Sequence, residues 1–402
     1  MPRAALIDIA ANPPEWLTYP ESLTLFEAVH SAGGEARFVG GCVRDAFFGK
    51  VSEDLDVCTD LHPGSVMELL QAAGFKVIPT GLDHGTITAV MGTRKFEVTT
   101  LRLDIETHGR RATVAFTKDF REDAARRDFT FNALSMDSNG RLYDYFGGVE
   151  DLKAGIVRFI GEPEERISED YLRILRFFRF FARYGHGEPD REALDACKKA
   201  RLHLSELSLE RITMETKSLF SVPDPYQSIL LMEHYGVRKA LLPGKIYPDR
   251  FRKILSWSSD PLLRLVTLFG ADAEWARQLS QYLRLSVQSQ TFLEKLCSSE
   301  IDADLSEREL KRLAYRRGVS VVRAQCLIFK TENEQVGDQY LGYLSEWNVP
   351  AFDVKGRDLL TLGVPTGPKV GQILKQLEEE WVNSDFSLQR SELLSKAQLL
   401  KP

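Results

Sequence analysis

The sequence predicts an α+β amino-terminal part followed by an all-α remainder, with the change near residue 160. Up to Ile160, short runs of alternating β-branched and apolar residues are separated by glycine-containing turns, which is typical of strands. Beyond it, long stretches rich in Leu, Arg, Glu and Ala predict helices. A chain of 402 residues is too long for one ordinary core, so two to four domains are expected.

Individual elements follow from alternation, turn signals and helix boundaries. Strands are predicted over residues 36–39, 54–59, 86–91 and 95–101. Helices are predicted over residues 42–48, 63–73 and 168–183. The first of these helices is ended by Gly49, and the second has a proline at its start and Gly74 after its end.

Composition and charge limit the classes of protein that the chain can belong to. The formal net charge of -6 does not indicate a nucleic-acid partner, so any such site must be a local basic patch. Five scattered cysteines favour free thiols in a reducing compartment. The sequence has no apolar run of about 18 residues, and residues 1–20 do not have the pattern of a targeting signal. We therefore expect a cytoplasmic protein without a membrane span.

The pair Gly40-Gly41 lies between a predicted strand and a predicted helix. Glycines let the backbone approach a phosphate closely, and a helix start offers free N–H groups. Arg44, in the first turn of that helix, could clamp a triphosphate with its planar guanidinium. A plain tight turn is the alternative for Gly-Gly alone. A P-loop is excluded, because Arg44 and Val51 occupy positions where that motif needs glycine and a hydroxyl residue.

Two carboxylates, Asp54 and Asp56, are one residue apart in the next predicted strand. Strand alternation places both on the same face. Because Mg²⁺ takes oxygen ligands and often bridges to phosphates, the pair predicts a site for two Mg²⁺ ions in an enzyme that handles nucleoside triphosphates. A solvated edge strand is the alternative. Glu97 is the candidate third carboxylate, with a surface pair to Arg94 or Lys95 as its alternative.

Two further segments combine arginines with polar or acidic residues. In the first, Arg127 can pair with phosphate, while Asp128 and Asn132 can hydrogen-bond a sugar hydroxyl; a surface salt bridge is the alternative. In the second, polar side chains recur every third residue and would form a spiral stripe on one helix: Asp170, Arg173, Arg176 and Arg179. Arginines beside buried aromatic residues need anions or carboxylates to meet them. A solvated helix face is the alternative.

In order and spacing, these motifs resemble those of class II tRNA nucleotidyltransferases, the CCA-adding enzymes and their bacterial poly(A) polymerase relatives. The motifs are Gly40-Gly41-Cys42-Val43-Arg44-Asp45, Asp54-Leu55-Asp56, Arg126-Arg127-Asp128 and Glu169-Asp170-Tyr171-Leu172-Arg173. The resemblance implies an α+β nucleotidyltransferase head with a polymerase β-like mixed sheet, followed by an all-α neck, body and tail. The implied boundaries are 1–35 for an N-terminal helical extension, 36–160 for the head, 161–225 for a neck with the nucleotide-selecting motif, and 226–402 for a tRNA-binding body and tail.

The resemblance also implies a role for each matching residue. These roles are catalytic metal ligand for Asp54 and Asp56, triphosphate contact for Gly41 and Arg44, nucleotide contact for Arg127, Asp128 and Asn132, base selection for Asp170 and Arg173, and further nucleotide contact for Arg176 and Arg179. The chemistry of base selection is consistent with this, because arginine only donates hydrogen bonds and ionised aspartate only accepts them.

The reaction implied is template-independent addition of CCA to the 3′ end of tRNA, from CTP and ATP, with two Mg²⁺ ions and release of pyrophosphate. The alternatives are a poly(A) polymerase, a CC-only-adding enzyme and a non-enzymatic RNA-binding scaffold. Residues 92–97 depart from the Gly-Arg-Arg-Phe-Arg run of bacterial poly(A) polymerases, and residues 104–116 resemble the flexible loop that CC-adding members lose. Asp54 and Asp56 argue against a scaffold.

Overall fold

In the computed structural model the chain forms two compact units, Met1–Pro243 and Gly244–Pro402. The structure describes residues 6–108, 111–270 and 272–400. The first unit contains the described β-strands, and the second is built from helices. The finer division into extension, head, neck, and body and tail stays a prediction.

The strands of the first unit form a seven-stranded sheet and a separate two-stranded sheet. They are β1 (Ala36–Val39), β2 (Leu55–Thr59), β3 (Lys76–Gly81), β4 (Thr86–Met91), β5 (Arg94–Thr100), β6 (Arg102–His108), β7 (Arg111–Phe116), β8 (Ser135–Met136) and β9 (Leu142–Tyr143). The order in the larger sheet is β3-β4-β5-β2-β1-β8-β9, while β6 pairs with β7. Within the larger sheet β2 and β5 run parallel and the other pairs are antiparallel, so the predicted mixed sheet is confirmed.

The predicted strands are confirmed to within one residue at each end. Residues 36–39 and 86–91 form β1 and β4 as predicted, whereas β2 begins at Leu55 and β5 covers Arg94–Thr100. Alternation explains the packing, because Val57, Phe96 and Val98 are buried on the core side of the sheet while Asp56 and Glu97 lie on the other face. Residues 109 and 110 of the predicted flexible loop lie outside the described residues.

The helices of the first unit surround the sheet and continue beyond it. They are α1 (Pro20–Ser31), α2 (Gly41–Ala46), α3 (Pro63–Ala72), α4 (Phe120–Ala125), α5 (Gly148–Ala154), α6 (Pro163–Glu169), α7 (Leu172–Tyr184), α8 (Arg191–Ala200), α9 (Leu209–Phe220), α10 (Tyr226–His234) and α11 (Val237–Leu241). The prediction of one helix over residues 168–183 was wrong. Asp170 is extended, with φ −156° and ψ 104°, and separates α6 from α7. The spiral stripe of four side chains therefore does not form on a single helix.

Aromatic rings join α7 to the segment that carries the Arg-Asp motif. Phe129 packs against Phe177 and Phe180 of α7, with ring centroids 6.4 and 5.4 Å apart. Phe131 contacts Phe180 and Tyr184 at 5.6 and 5.7 Å. These phenylalanines are buried, so this contact fixes α7 against the sheet-bearing part of the first unit.

The second unit contains two described clusters of buried hydrophobic residues. Its helices are α12 (Pro248–Ile254), α13 (Pro261–Phe269), α14 (Ala273–Tyr282), α15 (Val287–Cys297), α16 (Glu307–Arg317), α17 (Val319–Lys330), α18 (Glu334–Ser345), α19 (Gly356–Thr361), α20 (Pro368–Asn383) and α21 (Arg390–Leu399). One cluster includes Leu310 and Tyr340, and the other includes Leu359 and Trp381. None of the helices formed by the described residues has the length and apolarity needed to cross a bilayer.

Two glycines, one in each unit, give a matched pair of alanine substitutions, one with close neighbours and one without. A β-carbon added at Gly148 would lie 2.4 Å from the carbonyl oxygen of Thr130, whereas one added at Gly342, inside α18, would meet nothing within 4 Å. We expect Gly148→Ala to lower the free energy of unfolding by about 1–3 kcal/mol through overpacking. Gly342→Ala should raise it by about 0.5–1 kcal/mol through helix propensity. Calorimetric melting of both variants checks this; equal midpoints would contradict it.

Candidate active site

A polar cavity of about 370 Å³ lies in the first unit. It is lined by Gly40, Gly41, Arg44, Asp56, Arg126, Arg127, Asp128, Asn132, Asp170, Leu172, Arg173, Arg176, Phe180 and Arg211. Nine of the eleven residues predicted as catalytic or nucleotide-binding therefore share one cavity. Asp54 and Arg179 are not in its lining.

The glycine turn after β1 forms one wall of the cavity. Gly40 has φ +74° and ψ −120°, a conformation that glycine adopts without strain, and it precedes α2. A β-carbon there would lie 3.3 Å from Nη1 of Arg127, and one at Gly41 would lie 3.7 Å from Nη2 of Arg44. The two glycines therefore bring backbone and guanidinium groups close together.

Arg44 is held in a fixed orientation although its side chain lines the cavity. It is buried, its Nε donates to Oδ1 of Asp45 at 3.0 Å, and its Nη1 donates to Oδ1 of Asn132. The ring of Tyr184 lies 4.9 Å from the guanidinium carbon. These contacts use Nε and Nη1, so Nη2 is the nitrogen directed toward the Gly41 backbone.

Asp45 connects α2 to α7. Its carboxylate accepts a hydrogen bond from the Tyr184 hydroxyl at 2.6 Å and one from Nη2 of Arg183 at 3.3 Å. Burial alone would raise the pKa of Asp45, but Arg44, Arg183 and the Tyr184 hydroxyl together hold that pKa below its usual value. Asp45 therefore stays ionised and ties the glycine turn to the arginine-bearing helix.

A chain of hydrogen bonds continues from Arg44 across the cavity floor. Asn132 accepts from Arg44 and donates through Nδ2 to Oδ1 of Asp128 at 2.8 Å. The other oxygen of Asp128 accepts from Nε of Arg176 at 2.6 Å. Burial acts to raise the pKa of Asp128, but Arg176 and Asn132 outweigh it and the pKa is lowered. Asp128 thus neutralises Arg176 and orients Asn132.

Glu215 on α9 pairs with the last two arginines of the predicted stripe. Its carboxylate accepts from Nε of Arg179 at 2.6 Å and lies 3.7 Å from Nη1 of Arg176. The expectation that carboxylates or anions meet the arginines beside the buried aromatics is confirmed for both. Because Arg179 is engaged with Glu215 outside the cavity lining, its nucleotide contact stays a prediction.

The guanidinium of Arg127 has a carboxylate partner for one nitrogen and, in the part of the chain that the structure describes, no partner for another. Its Nη2 lies 3.3 Å from Oδ2 of Asp123, a buried carboxylate that Arg126 also contacts. Its Nε is buried and has no hydrogen-bond partner among the described residues. An unpaired buried N–H is unfavourable, so a ligand oxygen in the cavity would relieve it.

Asp56 and Glu97 are direct neighbours in the parallel pair β2 and β5, which confirms the predicted neighbouring strand. Burial raises the pKa of Asp56 to about 6, and the nearby charges of Glu97 and Asp54 add to the increase while Arg127 opposes it. Asp54 is exposed and immediately precedes β2. A partly buried carboxylate beside two others is a set of oxygen donors that a divalent cation would neutralise.

Glu97 also has the surface partner that was its alternative interpretation. Nζ of Lys95 lies 2.7 Å from Oε1 of Glu97, and both side chains are about half exposed. Within the described ranges of the chain, no three His, Cys, Asp or Glu side chains are arranged to hold a metal ion. Asp54 and Asp56 fit a metal by their chemistry, and the role of Glu97 as a third ligand stays a prediction.

Asp170 and Arg173 line the same cavity but are held by different partners. Asp170 accepts two hydrogen bonds from Arg211, at 3.1 and 2.6 Å. Arg173 donates to the Glu169 carboxylate and, at 2.7 Å, to the carbonyl oxygen of Arg166. Each predicted base-selecting group is therefore positioned by an ion pair, Asp170 by Arg211 of α9 and Arg173 by Glu169 at the end of α6.

The sequence analysis predicted no role for several residues of this network, although Asp45 and Glu169 lie within two of the motifs that carry the resemblance. These residues are Asp45, Asp123, Arg166, Glu169, Tyr184, Arg211 and Glu215. Arg166 donates to the carbonyl oxygens of Arg126 and Arg127 and so fixes the backbone of the Arg-Arg-Asp motif. Apart from those motifs, the sequence signal was the need of each buried arginine for a carboxylate, which does not indicate which carboxylate pairs with it.

Two protein-family profiles match the chain. They are "Poly A polymerase head domain", over residues 36–158, and "Probable RNA and SrmB- binding site of polymerase A", over residues 188–245. The mitochondrial CCA tRNA nucleotidyltransferase 1 of Mus musculus is 35% identical over 387 residues, covering 92% of this chain and 88% of the relative. The CCA-adding enzyme of Streptococcus gordonii is 31% identical over 382 residues, covering 90% of this chain and 92% of the relative.

A solved structure agrees over nearly the whole chain. The crystal structure of the Bacillus stearothermophilus CCA-adding enzyme in complex with CTP aligns with a TM-score of 0.70 and 25% sequence identity. The alignment covers 96% of this chain and 97% of that chain. The similarity thus includes the sheet, the arginine-bearing helix and the helical second unit.

The raised pKa of Asp56 leads to a test of stability. Its folded pKa of about 6 exceeds the ordinary aspartate pKa of 3.8, so the stability contributed by the protonated form is present below pH about 4 and is lost as the pH rises through about 6. In metal-free buffer at pH 8, Asp56→Asn should raise the free energy of unfolding by roughly 1–3 kcal/mol, and by less at pH 4. Chemical denaturation at both pH values measures this, with Glu53→Gln, an exposed neighbour, as the control. A lower stability of Asp56→Asn at pH 8 would contradict the prediction.

Proposed function

The chain belongs to the family of CCA-adding tRNA nucleotidyltransferases, and we propose that it adds two C residues and one A to the 3′ end of tRNA from CTP and ATP. The observation that supports this most is that one cavity is lined by the glycine turn with Arg44, by Asp56, and by Asp170 with Arg173. These are the three kinds of group that phosphate binding, phosphoryl transfer and base selection require.

The triphosphate of the incoming nucleotide would lie against the glycine turn. Gly40 and Gly41 present backbone without side chains, Arg44 directs Nη2 toward them, and Arg127 has a buried Nε without a partner. Guanidinium groups match phosphate oxygens as planar forks. Because Arg44 is already fixed by Asp45 and Asn132, binding would require little ordering of its side chain.

The reacting phosphate would lie at the Asp56 end of the cavity. Asp54 and Asp56 would hold Mg²⁺, which supplies activation of the attacking 3′-hydroxyl and neutralisation of the leaving pyrophosphate. CTP is bound in the Bacillus stearothermophilus structure, which supports CTP as a ligand of this cavity. The protein's own part is positioning, since the sheet fixes Asp56, Asp54 directly precedes the same strand, and the hydrogen bonds between Arg44, Asn132, Asp128 and Arg176 fix the arginines.

Base selection would depend on Asp170 and Arg173. Cytosine and adenine each place an exocyclic amino donor beside a ring-nitrogen acceptor, whereas the corresponding exocyclic group of guanine or of thymine and uracil is an acceptor. An aspartate that accepts and an arginine that donates therefore suit C and A and disfavour G and U. When a base binds, Asp170 would share or give up its contact with Arg211, and Arg173 its contact with Glu169.

The tRNA itself would be bound by the helical parts of the chain. This assigns the head role to residues 36–160, the neck to residues 161–225, and the body and tail to residues 226–402. All five cysteines are free thiols, which supports a reducing compartment such as the cytoplasm as the place of the reaction.

One incorporation assay tests the proposed function. A tRNA ending before its last three nucleotides is incubated with the protein and Mg²⁺, and receives CTP alone, ATP alone or both, after which the products are sequenced. The expected products are CC with CTP alone and CCA with both nucleotides. A run of A residues with ATP alone would instead support a poly(A) polymerase, and CC as the end product with both nucleotides would support a CC-adding enzyme.

Removing either predicted metal ligand should abolish the reaction. We expect Asp54→Ala and Asp56→Ala each to reduce the rate of CTP incorporation by at least about a thousandfold, the scale of losing a main electrostatic contribution. Glu53→Ala, at the exposed neighbouring position, is the matched control and should retain activity. Circular dichroism and melting confirm folding. Full activity of either aspartate variant would refute the metal role.

Arg173→Ala should impair nucleotide choice more than tRNA affinity. It removes the donor half of the proposed pair, so the preference for CTP and ATP over UTP and GTP should fall by about tenfold or more. Competition between nucleotides measures the preference, and gel retardation measures tRNA affinity. Arg191→Ala, an exposed arginine on α8, serves as the control. Unchanged nucleotide preference in Arg173→Ala would rule out this role.

A further inference from the structure

The catalytic face of the sheet extends beyond the cavity. Asp56 on β2 is in register with Glu97 on β5, and Glu97 is in register with Thr88 on β4. In the next row on this face, Cys58 of β2 is in register with Thr99, and Thr99 with Thr86. On each of these strands, the residues between the positions just named point to the buried side of the sheet. These threonines therefore lie on the same face as the carboxylates.

Four threonines make a hydroxyl-lined surface on β3, β4 and β5, which we call the hydroxyl strip: Thr80, Thr86, Thr88 and Thr99. The hydroxyls of Thr80 and Thr88 are 3.0 Å apart, as are those of Thr86 and Thr99. Within each pair one hydroxyl donates to the other, so one O–H donor and several acceptor lone pairs stay available to a ligand. Thr80 is exposed, Thr86 and Thr99 are half-buried, and Thr88 is buried, so the part of Thr88 is to orient the Thr80 hydroxyl to which it is hydrogen-bonded.

The sheet order separates the hydroxyl strip from the nucleotide side of the site. In the order β3-β4-β5-β2-β1-β8-β9, the glycine turn follows β1 and Asn132 precedes β8, while the strip lies across β5 on the other side of β2. Among the described residues that line the cavity, none belongs to β3, β4 or β5. Asp56 is thus the point where the nucleotide cavity ends and the strip begins.

The two substrates of a nucleotidyl transfer must meet at the carboxylates from different directions. With the triphosphate placed on the β1 side, the β5 side is left for the RNA that is extended. Two strand spacings separate Thr88 from Asp56, so their backbones lie about 10 Å apart, within the span of two nucleotides. The strip carries neutral hydroxyls, with Lys95 as its neighbouring cation, and sugar hydroxyls suit such a surface beside acidic groups.

We infer that the hydroxyl strip binds the riboses of the last two nucleotides of the RNA acceptor through their 2′-hydroxyls. The inference rests on the proposed function and extends it to how the acceptor sugar is recognised. The 2′-hydroxyl both donates and accepts hydrogen bonds, and it is the group that distinguishes RNA from DNA. Ordinary cross-strand pairing of threonines, which stabilises a sheet without any ligand, is the competing explanation.

The test compares two acceptors that differ only in these sugars. Both are tRNAs ending before the last three nucleotides, one with ribose and one with 2′-deoxyribose at the last two positions. The ratio of their kcat/KM values for CTP incorporation measures recognition of the 2′-hydroxyls. We expect the wild-type protein to prefer the ribose acceptor by about tenfold or more, since each hydrogen bond contributes about a fivefold factor.

Isosteric variants remove the hydroxyls and retain the β-branched shape. The double variants Thr80→Val/Thr88→Val and Thr86→Val/Thr99→Val should each reduce the ratio about fivefold through a loss on the ribose acceptor, with the KM for CTP unchanged. Thr100→Val is the matched control on the same strand. The hydroxyl of Thr100 donates to the carbonyl oxygen of Leu61 on the buried side, so this variant should lower the melting temperature without changing the ratio.

A wild-type ratio near one, an unchanged ratio in both double variants, or an equal loss on both acceptors would overturn the inference. If a double variant fails to fold, the same ratio is measured on Thr80→Val alone, which changes an exposed position. If the wild-type protein incorporated no nucleotide at all, the proposed function would fail instead. Fluorescence anisotropy of the two labelled acceptors would then still measure whether the strip distinguishes ribose from 2′-deoxyribose.

Discussion

The buried chain of hydrogen bonds from Arg44 through Asn132 and Asp128 to Arg176 is the interaction on which the cavity depends. It joins the turn after β1, the segment before β8 and helix α7, three parts of the chain that are far apart in sequence. All but Arg176 are buried, so breaking any link would leave a polar or charged group without its partner. The position of each guanidinium is therefore coupled to the positions of the others.

The distribution of charge around the cavity follows from this arrangement. On the α7 side each arginine meets a carboxylate, so these positive groups are held in place at little electrostatic strain. At the start of β2 the opposite holds, because Asp56 has two acidic neighbours, Asp54 just before its own strand and Glu97 on the next one. A nucleotide with bound divalent cations complements both sides, since its phosphates suit the arginines and its cations suit the acids.

Local patterns in the sequence predicted much of the sheet but not the network beneath the cavity. Strand alternation placed β1, β2, β4 and β5 correctly, because one face of each strand is buried. Asp123 and Glu215 could not be predicted, since their partners are chosen by tertiary packing rather than by spacing along the chain. The two-residue break before α7 did have a local signal. The Asp170 side chain accepts from the backbone N–H of Leu172 at 3.1 Å, which is how aspartate competes with a continuous helix.

The reactivity of the five free thiols depends on whether the surrounding part of the protein is folded. Burial raises the pKa of Cys42, Cys58, Cys297 and Cys326 to about 12, so few of these groups are thiolates at neutral pH while the protein is folded. Cys42 and Cys58 lie in the first unit, and Cys297 and Cys326 lie in the second. Cys297 is only partly buried, so the buried thiols are the informative ones: Cys42 and Cys58 in the first unit and Cys326 in the second. Alkylating reagents would modify these three only as fast as their surroundings unfold, and peptide mapping of the adducts would time the two units independently.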